Sequence, residues 1–227
     1  MDLSFLINRY IYNRRAKNGF FWQFEPYKFT EEPFLEEFIL KPGSCFVDVG
    51  ANIGGWTVPS SKFYAKVFAF EANPRTARVL QKNVDLNHLK NVTVYPFGLG
   101  EAEISRDFFL YDRGEGKGQD SFFASHLGYF TTGERILVQI KTLDSFDLKP
   151  DVIKIDTEGY EPQVVKGSME TILKHRPILI IETHDQKDVQ PIQDMITNKL
   201  NKYYSWRLIK REQPGNIIQT IMIGTLV

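Results

Sequence analysis

The chain has 227 residues and a mass of 26.3 kDa, with 42% hydrophobic and 25% charged residues. That length and balance fit one substantial α/β domain with a small appendage, and exclude collagen-like, disordered and disulfide-scaffold chains. Lys plus Arg number 28 and Asp plus Glu 28, so no overall basic field gathers phosphates and no nucleic-acid partner is expected.

In chain order, Leu3, Leu6, Ile7, Tyr10 and Ile11 recur at helical spacing, followed by Arg14, Arg15 and Lys17. This predicts a helix that packs on its own domain, with peripheral membrane contact as the alternative. The order of a secretory signal is absent, no run reaches the roughly 18 apolar residues of a membrane span, and the expected location is cytoplasmic. An aromatic stretch at 20–29 precedes a short helix with Thr30 as N-cap and Glu31 and Glu32 in its first turn, ending at Lys41, Pro42 and Gly43. Residues 1–40 are thus read as an appendage and residues 41–227 as the main domain.

Buried parallel strands are predicted at 45–49, 67–70, 92–96, 152–155 and 178–181, separated by helical stretches. The single cysteine, Cys45, lies in the first of them and reads as a buried, inert thiol. Asn73 caps a helix with Pro74 at its first position and Ala77, Leu80 and Val84 at core spacing. Pro162 opens another that carries Val164, Val165, Ile172 and Leu173. Segments 206–210 and 217–227 flank Pro214 and Gly215 as an antiparallel hairpin, the last segment covered on both faces and its partner outermost. The glycine- and aromatic-rich insertion at 111–135 is read as a lid over the substrate, with a plain surface loop as the alternative.

The strongest chemical signal is Asp48-Val-Gly-Ala-Asn-Ile-Gly-Gly55, a glycine turn between a strand and a helical stretch. Open α/β sheets bind ligands at that end of a strand. Glu71 closes the next strand, 21 residues after Gly50, the spacing at which an acid meets ribose hydroxyls. A dinucleotide needs glycine where this chain has Asn52, so a pyrophosphate would be crowded. S-adenosylmethionine carries no phosphate, and its cationic groups suit a site lined by Asp48, Glu71 and Asp156.

The sequence resembles the FkbM-type family of class I S-adenosylmethionine-dependent methyltransferases. The resemblance rests on Phe46-Val-Asp-Val-Gly-Ala-Asn-Ile-Gly54, Phe70-Glu-Ala-Asn-Pro74, Leu99-Gly-Glu101, Thr142-Leu-Asp144, Ile153-Lys-Ile-Asp-Thr-Glu-Gly-Tyr-Glu161 and Val165-Lys-Gly167. It implies a Rossmann-like, mostly parallel seven-stranded sheet with helices on both faces and an antiparallel C-terminal strand. It also implies Gly50, Ala51, Asn52 and Gly54 around the methionine part of the cofactor. Glu71 with Ala72 would serve the ribose, and Phe97, Gly98 and Leu99 the adenine. Pro59 departs from the pattern by falling inside the first helix, which should start late, kink or shorten. Residues 1–40 and 111–135 match no family pattern, and acceptor choice is expected to lie there.

Asp156, Glu158 and Glu161 follow the fourth strand, and Glu182, His184 and Asp185 the fifth. Asp156, His184 and Glu158 are the expected catalytic residues, with Asp156 also a cofactor residue and Asp156 or His184 taking the acceptor's proton. The alternatives are helix capping, charge at a helix start and an ordinary loop histidine. Asp156, Glu158 and Glu182 are the set that would hold a hard cation, but no metal site is assigned. His88, His126 and His175 lack metal-ligand spacing. The fourth strand lacks the Asn-Pro-Pro-aromatic arrangement of many base-methylating enzymes. The expected activity is O-methylation of a hydroxyl on a sugar, glycan or small natural product. Protein or nucleic-acid methylation, or a non-catalytic module that keeps the fold, are the alternatives. No oligomeric state is read from the chain.

Overall fold

The computed structural model describes residues 20–22, 37–111, 120–122, 131–200, 204–213 and 217–227. The amphipathic N-terminal segment, the Thr30 helix start and most of the 111–135 insertion lie outside them. No helix among the described residues is long and apolar enough to cross a membrane.

The main sheet contains β1 (Gly43–Val49), β2 (Tyr64–Phe70), β3 (Val92–Tyr95), β7 (Val152–Ile155), β8 (Ile178–Thr183), β9 (Tyr204–Gln213) and β10 (Ile217–Leu226), in the order β3-β2-β1-β7-β8-β10-β9. Its first five strands are parallel and β10 runs antiparallel between β8 and β9. Strand order therefore reverses between β1 and β7, where open sheets leave a crevice at the strand ends. Ile221, Met222 and Ile223 of β10 are fully buried, whereas β9 forms the edge and exposes Leu208. This is the class I methyltransferase fold, with the terminal hairpin as the residues predict.

Alternation along β1 decides what faces each side. Val47 and Val49 join the larger core with Ile153, Ile155, Leu179 and Ile181, while Phe46 packs on the other face with Ile39, Val67, Val152 and Ile180. Cys45 is buried, and burial, reinforced by Asp151, pushes its thiol up to about 11, which keeps it inert at neutral pH.

Helix α1 (Thr57–Ser60) is a single turn, the shortening that Pro59 predicts. Helix α2 (Pro74–Leu86) opens with Asn73 Oδ1 accepting from the Arg75 N–H at 2.9 Å and buries Ala77, Leu80 and Val84. The helix expected from Pro162 onward is two pieces, α3 (Glu161–Lys166) and α4 (Met169–His175). The break lies at Gly167, where a Cβ would stand 1.8 Å from the Gly100 carbonyl oxygen, so the position admits only glycine. Helix α5 (Gln186–Leu200) buries Ile192 and Ile196 against the larger core.

A second sheet, absent from the sequence expectation, holds β4 (Gly98–Leu99), β6 (Thr131–Lys141) and β5 (Ile104–Tyr111) in that order. β5 and β6 are antiparallel, and the 111–135 insertion lies between them in sequence, its last residues belonging to β6. Its residues 120–122 fold back onto β5, with Ser121 and Phe109 exchanging backbone hydrogen bonds of 2.9 and 3.1 Å.

Candidate active site

The crevice at the ends of β1, β2 and β7 has a cavity volume of about 90 Å³ and is partly open to solvent. It is lined by Gly50, Asn52, Glu71, Asp120, Phe122 and Glu158, among others. The Gly50 and Ala51 N–H groups both donate to the Phe70 carbonyl, and the Asp156 N–H donates to the Val49 carbonyl. Gly50 has a φ of 73°, and a Cβ there would stand 1.8 Å from the Asp156 carbonyl oxygen. Glycine is thus required for the β1 and β7 ends to meet.

Glu71 is 8% exposed, and each carboxylate oxygen accepts one backbone N–H at 2.8 Å, Oε2 from Asn52 and Oε1 from Asn73. Burial pushes its pKa up to about 7 against the lowering effect of those two bonds. Each oxygen keeps further acceptor capacity toward the crevice. Asn52 adopts the left-handed conformation, φ 51°, and its buried Oδ1 has no hydrogen-bond partner among the described residues. The crevice therefore offers an acid suited to paired hydroxyl donors and an amide oxygen suited to one more donor.

The opposite wall is the turn after β7. Glu161 is fully buried, and its Oε1 accepts the Thr157 N–H, the Thr157 hydroxyl and the Gly159 N–H at 2.8, 3.0 and 3.1 Å. The Ser121 hydroxyl donates to the Glu158 carbonyl at 2.7 Å. Glu158 sits between these anchors with φ 53°, a strained state for a non-glycine residue that its surroundings must hold in place. Glu161, expected only as a member of the acidic group, organises this loop.

His184, at the end of β8, places Nε2 3.2 Å from Glu158 Oε2 and 3.9 Å from Asp156 Oδ1, with Nδ1 3.8 Å from Glu161 Oε1. Burial alone would depress its pKa, but Glu161, Glu158 and Asp156 push it up to about 10. That favours the protonated ring at neutral pH, which opposes the expected role of a free histidine base. Burial raises Glu158, partly opposed by His184. Burial would also raise Asp156, but Lys154 and His184 hold it below the usual range.

Lys154 is buried, 3.2 Å from Asp156 Oδ2 and 3.8 Å from Asp48 Oδ1. Burial would depress its pKa, but Asp156, Asp48 and Glu182 more than offset that, so it stays charged. Asp48 lies beneath the crevice rather than in its lining, with Oδ2 accepting the Thr57 hydroxyl at 2.6 Å. Thr57→Val should lower stability by about 1.5 to 3 kcal/mol, because a buried carboxylate loses a donor. Urea unfolding with an unchanged slope is the check.

Of the other expected cofactor residues, Ala72, Gly98 and Leu99 line the crevice, while Ala51, Gly54 and Phe97 do not. Ala51 belongs to the small core under α2. A Cβ on Gly54 would meet Leu80 at 2.6 Å. Phe97 stacks on Phe146, with ring centroids 5.8 Å apart. Thr76, Phe108, Asp120, Phe122 and Thr157 line the crevice without having been singled out as site residues. Asp120 also accepts from Asn73 Nδ2 at 2.7 Å, and Phe122 packs on Phe108 and Tyr160. Glu182 stands beside Arg211, at 3.9 Å, and is not grouped with Asp156 and Glu158.

Comparison with known proteins agrees with this architecture. The chain is 35% identical over 153 residues to the hexuronic acid methyltransferase AglP of Haloferax volcanii, a match covering 63% of this chain and 58% of AglP. It is 28% identical over 144 residues to Methyltransferase 1 of Beauveria bassiana, covering 55% of this chain and 58% of that protein. The chain thus spans less than two thirds of the length of these curated relatives. Methyltransferase FkbM from Methylobacillus flagellatus superposes with a TM-score of 0.60 at 21% identity, over 87% of this chain and 48% of that one. SMU.1697c from Streptococcus mutans, solved in complex with SAH, superposes at 0.52 and 16% identity, over 86% and 96%. The sequence profile of the methyltransferase FkbM domain matches residues 48–219, most of the crevice and the sheet that builds it, and the chain belongs to that family.

Proposed function

We propose that the protein is an S-adenosylmethionine-dependent methyltransferase that acts on a hydroxyl of a sugar, a glycan or another small natural product. The observation that carries the reading is the buried Glu71 carboxylate beside the Gly50–Asn52 turn, where the buried Asn52 Oδ1 has no hydrogen-bond partner among the described residues. These residues fit the cofactor: Glu71 would accept hydrogen bonds from the ribose hydroxyls, and Asn52 Oδ1 would accept one from a further donor of the cofactor. Bound there, S-adenosylmethionine supplies an electrophilic methyl group on a sulfonium that leaves as a neutral thioether.

The protein's own part is to align the acceptor, exclude water and take up a hydroxyl proton. We assign the last task to Glu158, a reading supported by its position in the crevice lining and by the Glu161 and Ser121 contacts that fix its loop. The sugar-acid methyltransferase among the relatives supports a carbohydrate acceptor.

Transfer of labelled methyl from S-adenosylmethionine to separate pools of neutral glycans, hexuronic acids, RNA and protein tests this. The expected product carries alkali-stable label, an ether, on a neutral glycan or other small hydroxyl compound. Alkali-labile label on a uronic acid, or label confined to RNA or protein, contradicts it.

A further inference from the structure

We propose that Asp156, Glu158 and His184 bind one divalent cation at the acceptor side of the crevice. One ligand atom from each residue lies within 4.8 Å of the other two. A single ion at an ordinary coordination distance of roughly 2.0 to 2.6 Å reaches all three.

Four features favour a metal over a simple ion-pair cluster. First, the carboxylate oxygens are already sorted: Lys154 occupies Asp156 Oδ2 at 3.2 Å, and Oδ1 is the oxygen turned toward His184 Nε2. Second, the imidazole is 7% exposed and its Nδ1 has no hydrogen-bond partner among the described residues. Third, Glu161 stands behind that nitrogen, Oε1 at 3.8 Å, fully buried and with Oε2 lacking a hydrogen-bond partner among the described residues. A metal-bound histidine characteristically turns its second ring nitrogen toward a carboxylate, which fixes the tautomer and leaves Nε2 for the ion. Fourth, three carboxylates stand 3.2 to 3.9 Å from one imidazole, a density of hard oxygen donors that suits a cation.

The set differs from the carboxylate trio suggested by the sequence, since Glu182 is paired with Arg211 and an imidazole takes its place. Two carboxylates with one imidazole suit a mixed oxygen and nitrogen site of the manganese type better than Mg2+ or Ca2+, which prefer oxygen alone. Asp156 and Glu158 also line the crevice, so the remaining coordination positions face the space where an acceptor oxygen would lie. The inference rests on the methyl-transfer reading for the site's role, but the binding itself is measurable apart from it.

The test is titration of the full-length protein with Mn2+, followed by electron paramagnetic resonance. The free-ion signal should fall with a stoichiometry of one ion per chain, and the spin-echo spectrum of the bound ion should carry coupling to an imidazole nitrogen. Glu158→Gln and His184→Ala should each weaken Mn2+ binding at least tenfold, and Glu161→Gln, acting through His184, by about 10- to 100-fold. An undiminished free-ion signal, bound Mn2+ without nitrogen coupling, or equal affinity in folded Glu158→Gln overturns the site. Nitrogen coupling in the wild type supports it even where a variant fails to fold. Parallel titration with adenosylhomocysteine separates the claims, because lost nucleoside binding with Mn2+ binding intact refutes the methyltransferase reading alone.

Discussion

Glu158→Gln should lower turnover by about 10²- to 10⁴-fold, the range over which a positioned acid or base contributes, while leaving cofactor affinity unchanged. The substitution preserves size and leaves the loop's anchors in place, because Ser121 and Glu161 hold backbone atoms of residues 157–159 rather than the Glu158 side chain. What it removes is the carboxylate at the crevice wall. Single-turnover measurement with saturating cofactor isolates the chemical step. Equal turnover in the variant would show that Glu158 neither takes up a proton nor holds a group that does.

Glu71→Ala should weaken cofactor binding by about 1.5 to 3 kcal/mol, through loss of hydrogen bonds to a charged acceptor. It should also cost stability, because the Asn52 and Asn73 N–H groups lose their acceptor, at about 1 to 3 kcal/mol for each group left buried and unsatisfied. The same residue predicts a pH dependence. Burial raises its pKa from 4.5 to about 7, so its contribution to the stability of the cofactor-free protein is full below pH 4.5 and is lost as pH rises through 7. Hydroxyl donors favour the carboxylate, so cofactor affinity should move the other way, rising between about pH 6 and 8 and then levelling. Glu71→Gln should flatten that profile. Calorimetry across this range checks it, and an unaltered profile in Glu71→Gln would remove Glu71 from the ribose contact.

The parts legible in the sequence were those whose causes are local. Apolar runs, the Asn73-Pro74 helix start and the hairpin flanking Pro214 and Gly215 each state their geometry within about ten residues. Glu71 was legible because the chain fixes its position by length alone, one strand-helix-strand step after Gly50. What escaped has distant causes. The division of α3 from α4 falls at Gly167, which must be glycine because the Gly100 carbonyl approaches it from a segment remote in sequence. Asp48 reads as a site acid, yet the strand's alternation turns it toward Thr57 and Lys154. Asp120 and Phe122 reach the crevice only because residues 120–122 fold back onto β5. Lys154 looked like an ordinary strand residue, and only the pairing of β1 with β7 sets it opposite Asp48. The cluster of Asp156, Glu158 and His184 was expected from adjacent parallel strands. Its electrostatics were not, since protonation of His184 depends on Glu161 lying behind the ring.

Calorimetric titration of the protein with adenosylhomocysteine, paired with a thermal melt at saturating ligand, tests the central claim most directly. A nucleoside crevice at the ends of β1 and β2 predicts one site per chain and a melting temperature that climbs with ligand concentration. Absence of both heat and stabilisation would contradict it.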